Sequence, residues 1–223
     1  MPNLTDITLD ACAPQVKALR GVAAEFYRRG WSLGTSGNYS MVLPNTPLRL
    51  LITASGRDKG RLTERDFVIV DEAARAVSLG PLRPSAETPL HIMIAHRPGV
   101  GAVLHTHSVY ATVLSQVHFA EGRVEIADYE MLKGLSGITT HEASVSIEIF
   151  DNTQNIQALA AQIAERFADG ELQYGFLIRG HGLYTWGRDL DEARRHVEIL
   201  EFLFQVLVRH KEYVKSAPPS APR

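Results

Sequence analysis

The 223-residue sequence contains one cysteine and two tryptophans, and 23 Lys and Arg stand against 25 Asp and Glu for a formal net charge of −2. Each shortage excludes something. A lone Cys12 cannot close an internal disulfide, and the opening MPNLTDITLD has neither the basic nor the apolar part of a secretory leader, so the reducing cytoplasm is expected. No apolar run approaches the roughly 20 residues that a membrane-spanning helix needs. Near-balanced charge gives no general attraction for nucleic acid or an anionic membrane, so any phosphate must be met by local groups. What remains is an ordinary globule, 45% hydrophobic, large enough to bury its own core. A single domain over 1–215 is expected. The Pro/Ala/Ser-rich 216–223 has no means of packing and is expected to be disordered.

Periodicity supplies the elements. Val16, Leu19, Val22, Ala23 and Phe26 recur at helical spacing, and Gly30 follows as a stop. Tyr39 to Leu43 and Leu48 to Thr53 flank a Pro/Asn turn and predict a hairpin; Phe67 to Asp71 and Ala76 to Leu79 predict a second. Ser85 can cap a helix from Ala86 to about His96, Ala102 to His107 is a strand, and a helix should open at Ser108. Further strands are expected at 124–127, 145–149, 174–178 and 182–186, with a helix near 153–167. Asp189 to Glu192 has capping-box spacing before a long last helix carrying Val197, Leu200, Phe204 and Leu207. Hairpins mixed with covering helices predict an α/β fold, a largely antiparallel sheet sandwiched by helices.

Chemistry concentrates in Val103-Leu104-His105-Thr106-His107-Ser108. Alternation along a strand sends both imidazoles to one face, which makes a poor core but half of a divalent metal site. His181, between Gly180 and Gly182, is the best third ligand, and three histidines with an open position describe a catalytic metal. The other six histidines, His91, His96, His118, His141, His196 and His210, read as surface or satisfied core residues. Two carboxylates compete for acid/base duty. Glu87 stands at a helix start, where the macrodipole favours its ionised form; Glu130 lies in Asp128-Tyr129-Glu130-Met131-Leu132-Lys133-Gly134, too polar for an interior strand. Gly34-Thr35-Ser36-Gly37-Asn38 and Thr53-Ala54-Ser55-Gly56 offer backbone N–H groups and neutral donors to an anion. Arg57, Lys59 and Lys133 could add positive charge, although such side chains usually face solvent.

Taken in order, Gly34–Asn38, Thr53–Gly56, Pro84-Ser85-Ala86-Glu87, Ala102–Ser108 and Gly180–Gly182 resemble the class II aldolase family of zinc-dependent sugar-phosphate enzymes, over about residues 14 to 210. The resemblance implies an α/β/α sandwich and one zinc ion on His105, His107 and His181. It also implies a phosphate cradle at Gly37, Asn38, Ser55, Gly56 and Ser85, with Lys133 as a further substrate contact, and a homotetramer with sites near subunit interfaces. Ala86 stands where the family often has a second Ser. Asp128–Leu135, Gly137–Glu142 and Arg179–Gly187 are similar to a dehydratase branch that removes water from a methylthio-substituted ketose 1-phosphate in methionine salvage. In that branch the glutamate of the E-M-x-K-G segment is the acid/base, which designates Glu130 and leaves Glu87 in the aldolase-like position, as helper or competitor. A sibling aldolase or 4-epimerase, or a non-catalytic adducin-like module, are the alternative readings.

Overall fold

The computed structural model describes residues 8–216 except 45, 79 and 171; Ala217 to Arg223, most of the expected tail, lies outside the described residues. The chain runs α1 (Ala13–Arg28), β1 (Asn38–Leu43), β2 (Arg49–Thr53), β3 (Phe67–Val70), α2 (Thr88–Ala95), β4 (Ala102–Thr106), α3 (Val109–Val117), β5 (Arg123–Ala127), β6 (Ser144–Phe150), α4 (Ile156–Ala168), β7 (Gly175–Ile178), β8 (Gly182–Gly187) and α5 (Leu190–Ser216), with 3₁₀ turns at Asp10–Cys12 and Glu130–Gly134. Eight strands form one sheet ordered β3-β2-β1-β4-β8-β7-β6-β5. Every neighbouring pair is antiparallel except β6 and β7.

Helices cover both faces, as the hydrophobic patterning requires. Val16, Leu19, Val22, Ala23 and Phe26 of α1 pack with Ala193 and Val197 of α5 on Leu104 and Ala102 of β4. α3 and the later turns of α5 extend that layer over β5 to β8. On the opposite face, Leu90 and Ile94 of α2 and Leu159 and Ile163 of α4 meet Val103, Phe176, Tyr184 and Trp186. Local caps set the helix starts: Ser108 Oγ accepts from Ala111 N at 3.0 Å, Asn155 Oδ1 from Ala158 N at 3.1 Å and Asp189 Oδ1 from Glu192 N at 2.8 Å, each worth about 1 kcal/mol. Among the described residues no helix is long and apolar enough to cross a membrane.

Two elements differ from expectation. The second hairpin reduces to β3 with an isolated bridge from Val70 to Ala76. Backbone bonds from Asp71 N to the Arg75 carbonyl and from Val77 N to the Ile69 carbonyl tie its return limb, and side chains take the remaining groups: Asp71 Oδ1 accepts from Ala73 N and Arg75 N, and Ser78 Oγ accepts from Ile69 N. α2 begins at Thr88 instead of Ala86, because Ser85 Oγ caps Glu87 N at 3.2 Å and the Ser85 carbonyl takes Thr88 N. Glu87 therefore stands outside the helix at its N-cap.

The register divides the sheet into two ends. Asn38 of β1 lies opposite His105, Thr106 of β4 opposite Leu183, Gly182 opposite Ile178, and Ile178 opposite Phe150. β5 runs back against β6, with Ala127 opposite Ser144. It therefore finishes at the other end of the sheet from His105, four strands away from β4, roughly 19 Å laterally at the usual strand spacing.

Candidate metal centre

The end of β4 brings the two imidazoles together as alternation demands, with ring centroids 4.5 Å apart. His181 arrives on the β7–β8 turn, its ring centroid 5.0 Å from His105 and 4.6 Å from His107. One nitrogen from each of the three lies within 4.8 Å of the others. Close backbone approach makes this possible. A Cβ on Gly182 would overlap the Thr106 carbonyl, and one on Gly37, which has φ +74°, would come within 2.8 Å of the His105 carbonyl.

The donor set fits a tetrahedral divalent ion. His105 Nδ1 donates to the Leu183 carbonyl at 3.0 Å, leaving its Nε2 lone pair facing inward. That nitrogen is 3.3 Å from His181 Nε2, and two nitrogens each ~2.0–2.1 Å from one tetrahedral ion are separated by about 3.3 Å. Burial, outweighing the pull of Glu87, holds His105 well below the ordinary imidazole range. Burial and then His181 push His107 down to about 4. Both shifts favour the neutral imidazole, the form that binds a metal. Tyr184, fully buried and stacked on His105 with centroids 3.9 Å apart, walls the site against the core.

Glu87 joins this cluster and Glu130 does not. The Glu87 carboxylate is 3.1 Å from His181 Nε2 and 3.7 Å from His105 Nε2. Burial raises its pKa, but His105, His181 and the Asn38 amide outweigh that and hold it below the usual carboxylate range. Asn38 Nδ2 donates to Glu87 Oε2 at 2.7 Å, and Asn38 Oδ1 in turn accepts from His91 Nε2, whose Nδ1 takes the Ser40 hydroxyl at 2.8 Å. Thus His91 is a satisfied core histidine that fixes the carboxamide orienting Glu87. Glu130 follows β5 at the far end of the sheet, 71% exposed and paired with Lys133 at 2.8 Å. Within one chain, Glu130 and Lys133 stand at the other end of the sheet from the histidines, carried there by the direction of β5.

Of the expected phosphate cradle, Gly37, Asn38, Ser55, Gly56 and Ser85 fall at the histidine end, because β1 starts there and β2 ends there. Asn38 is already committed to Glu87 and reaches Ser85 Oγ only at 3.4 Å. Ser55 and Gly56 are exposed. Pattern alone missed Tyr184, whose aromatic run reads as core, and Lys59, which sequence ranks as a solvent-facing cation, is buried at 2% exposure.

Residues 17–208 match the family described as Class II Aldolase and Adducin N-terminal domain. The chain is 53% identical over 192 residues to a methylthioribulose-1-phosphate dehydratase of Serratia proteamaculans, covering 86% of this chain and 92% of that one. It is 47% identical over 186 residues to the protein of the same name from Xanthomonas campestris pv. campestris, covering 83% and 84%. Among solved structures, L-fuculose-1-phosphate aldolase from Thermus thermophilus superposes with a TM-score of 0.72 at 26% identity, over 93% of this chain and all of that one. With its three histidines, glycine-lined strand ends and mixed sheet between helices, the chain belongs to the class II aldolase family.

Proposed function

We propose that this chain is a metal-dependent hydro-lyase that converts 5-methylthioribulose 1-phosphate to the 2,3-diketo-5-methylthiopentyl 1-phosphate of methionine salvage. Identity near 50% to dehydratases of that name, over most of both chains, supports the assignment, and the observation that carries the chemistry is an ionised carboxylate, Glu87, beside three converging imidazole donors. His105, His107 and His181 would hold one divalent ion, zinc by its preference for such donors, which when bound supplies Lewis-acid polarisation of the C2 ketone.

Glu87, oriented by Asn38, accepts the proton from C3, and the electron pair of that C–H bond moves toward the C2 carbonyl. Electrons then return to form the C3–C4 double bond as the C4 hydroxyl leaves. The departing oxygen takes a proton to become water, and the enol left at C3 tautomerises to the diketone. Glu130, which the family resemblance names as the acid/base, is the proposed donor. In its own chain it is exposed and Lys133 holds its carboxyl down, so it would serve a neighbouring chain's centre in a homotetramer. Seating against that second copy strips water from Glu130 and raises its pKa, as an acid requires. Lys133 would arrive with it. Ser55, Gly56, Ser85 and the Gly37–Asn38 backbone hold the 1-phosphate. The buried free thiol of Cys12 suits a reducing cytoplasm.

The TM-score to an aldolase favours retro-aldol cleavage as the second reading. Zinc-loaded protein given 5-methylthioribulose 1-phosphate should yield a product lighter by one water, while L-fuculose 1-phosphate remains intact. Cleavage of the latter with no water loss from the former would reassign the chain to the aldolases.

A further inference from the structure

Lys59 is the one Lys or Arg that is buried among the described residues, 2% exposed. Its ammonium donates to the Thr35 carbonyl at 3.0 Å and the Arg57 carbonyl at 2.8 Å. Those carbonyls belong to the two separate glycine turns that flank the β1 and β2 strand ends. Thr35 itself is held at φ 71°, between the left-handed Gly34 and Gly37. One side chain thus pins both turns, and it spends two of its three N–H bonds doing so. Burial lowers its pKa to about 8, while Asp58 and then Glu87 resist the fall. It is also close enough to His107 to depress that imidazole. A cation whose hydrogen bonds go only to carbonyls, and whose burial outweighs the pull of Asp58 and Glu87, is poorly compensated, and a dianion on the same turns would complete it.

We propose that Lys59 is the buried counter-charge of the substrate phosphate, clamping the two cradle turns and giving its third N–H to a phosphate-monoester oxygen. This deepens the proposed function, since it rests on the phosphate lying at these turns. Neutral donors alone leave a dianion unbalanced, and a charge-assisted hydrogen bond in a partly dry site is worth about 10- to 100-fold in affinity.

The test uses inorganic phosphate as the probe on zinc-loaded protein. Wild type should melt at a temperature that rises with phosphate concentration. Lys59→Met and Lys59→Gln should show that rise only at about 10- to 100-fold higher phosphate, with one zinc per chain retained. Gln keeps N–H donors for the turns without the charge, so it decides the matter if Met does not fold. KM for 5-methylthioribulose 1-phosphate should increase by a similar factor, with kcat changed far less. A lower melting point with an unaltered phosphate response would mean a purely structural lysine. Loss of zinc would mean that it supports His107, and a wild type indifferent to phosphate would remove the cradle; each overturns the proposal. Failure of wild type to dehydrate the ketose sinks the proposed function alone, because the phosphate comparison does not depend on turnover.

Discussion

Glu87→Gln is expected to lower kcat for dehydration by roughly 10²–10⁴-fold, the usual contribution of a positioned proton-transfer group. The substitution keeps the side chain's volume and one oxygen for the Asn38 amide, which now donates to Glu87 Oε2 at 2.7 Å. Zinc should stay, since His105, His107 and His181 remain, and the fold should stay, since Glu87 stands at an N-cap without a side-chain cap bond. Rate and zinc content measured on one preparation separate the outcomes. A normal rate would exclude Glu87 as the C3 base, whereas a zinc-free variant would make it a ligand first.

Glu130→Gln should cost a comparable factor, and the arrangement of the sheet adds a sharper expectation. Because β5 ends away from His105, the proposed function assigns the histidines of one chain and Glu130 of the same chain to different sites. Two inactive variants, His181→Ala and Glu130→Gln, dissociated and reassembled together in equal amounts, should regain activity. About a quarter of the sites in a random mixture would pair intact histidines with a neighbour's intact Glu130. Chains bearing both substitutions, mixed with either single variant, should regain none. Equal-mixture activity no greater than the sum of the separate variants would place Glu130 outside the chemistry of any neighbouring chain.

The contrast between the two glutamates marks what the sequence makes legible. Spacing alone places His105 and His107 on one face, and flanking glycines mark His181, because strand alternation and close backbone approach are local properties. α1 and α5 are equally legible, their buried residues following helical period and a capping Asp189. Glu130 is not, since its position depends on which way β5 runs and which strands lie between, and these are set by long-range pairing. Lys59 is hidden for a related reason. Its burial follows from the Thr35 turn, 24 residues away, meeting Lys59's own turn over one ammonium, whereas an isolated Lys in a polar loop reads as solvated. The second hairpin is cut short by chemistry nearer at hand: Asp71 and Ser78 capture the backbone groups that a longer ladder would have used. His91 shows the reverse case, unpaired in sequence yet tied through Asn38 to the Glu87 carboxylate.

The central claim is that three histidines of this chain hold the ion on which water loss depends. Protein stripped with a chelator should be inactive toward 5-methylthioribulose 1-phosphate and should regain its rate linearly with added zinc, levelling at one equivalent per chain. The His181→Ala protein, treated alike, should neither retain the ion nor recover. Full dehydration by the stripped protein, or recovery of His181→Ala at the same single equivalent, would contradict the account.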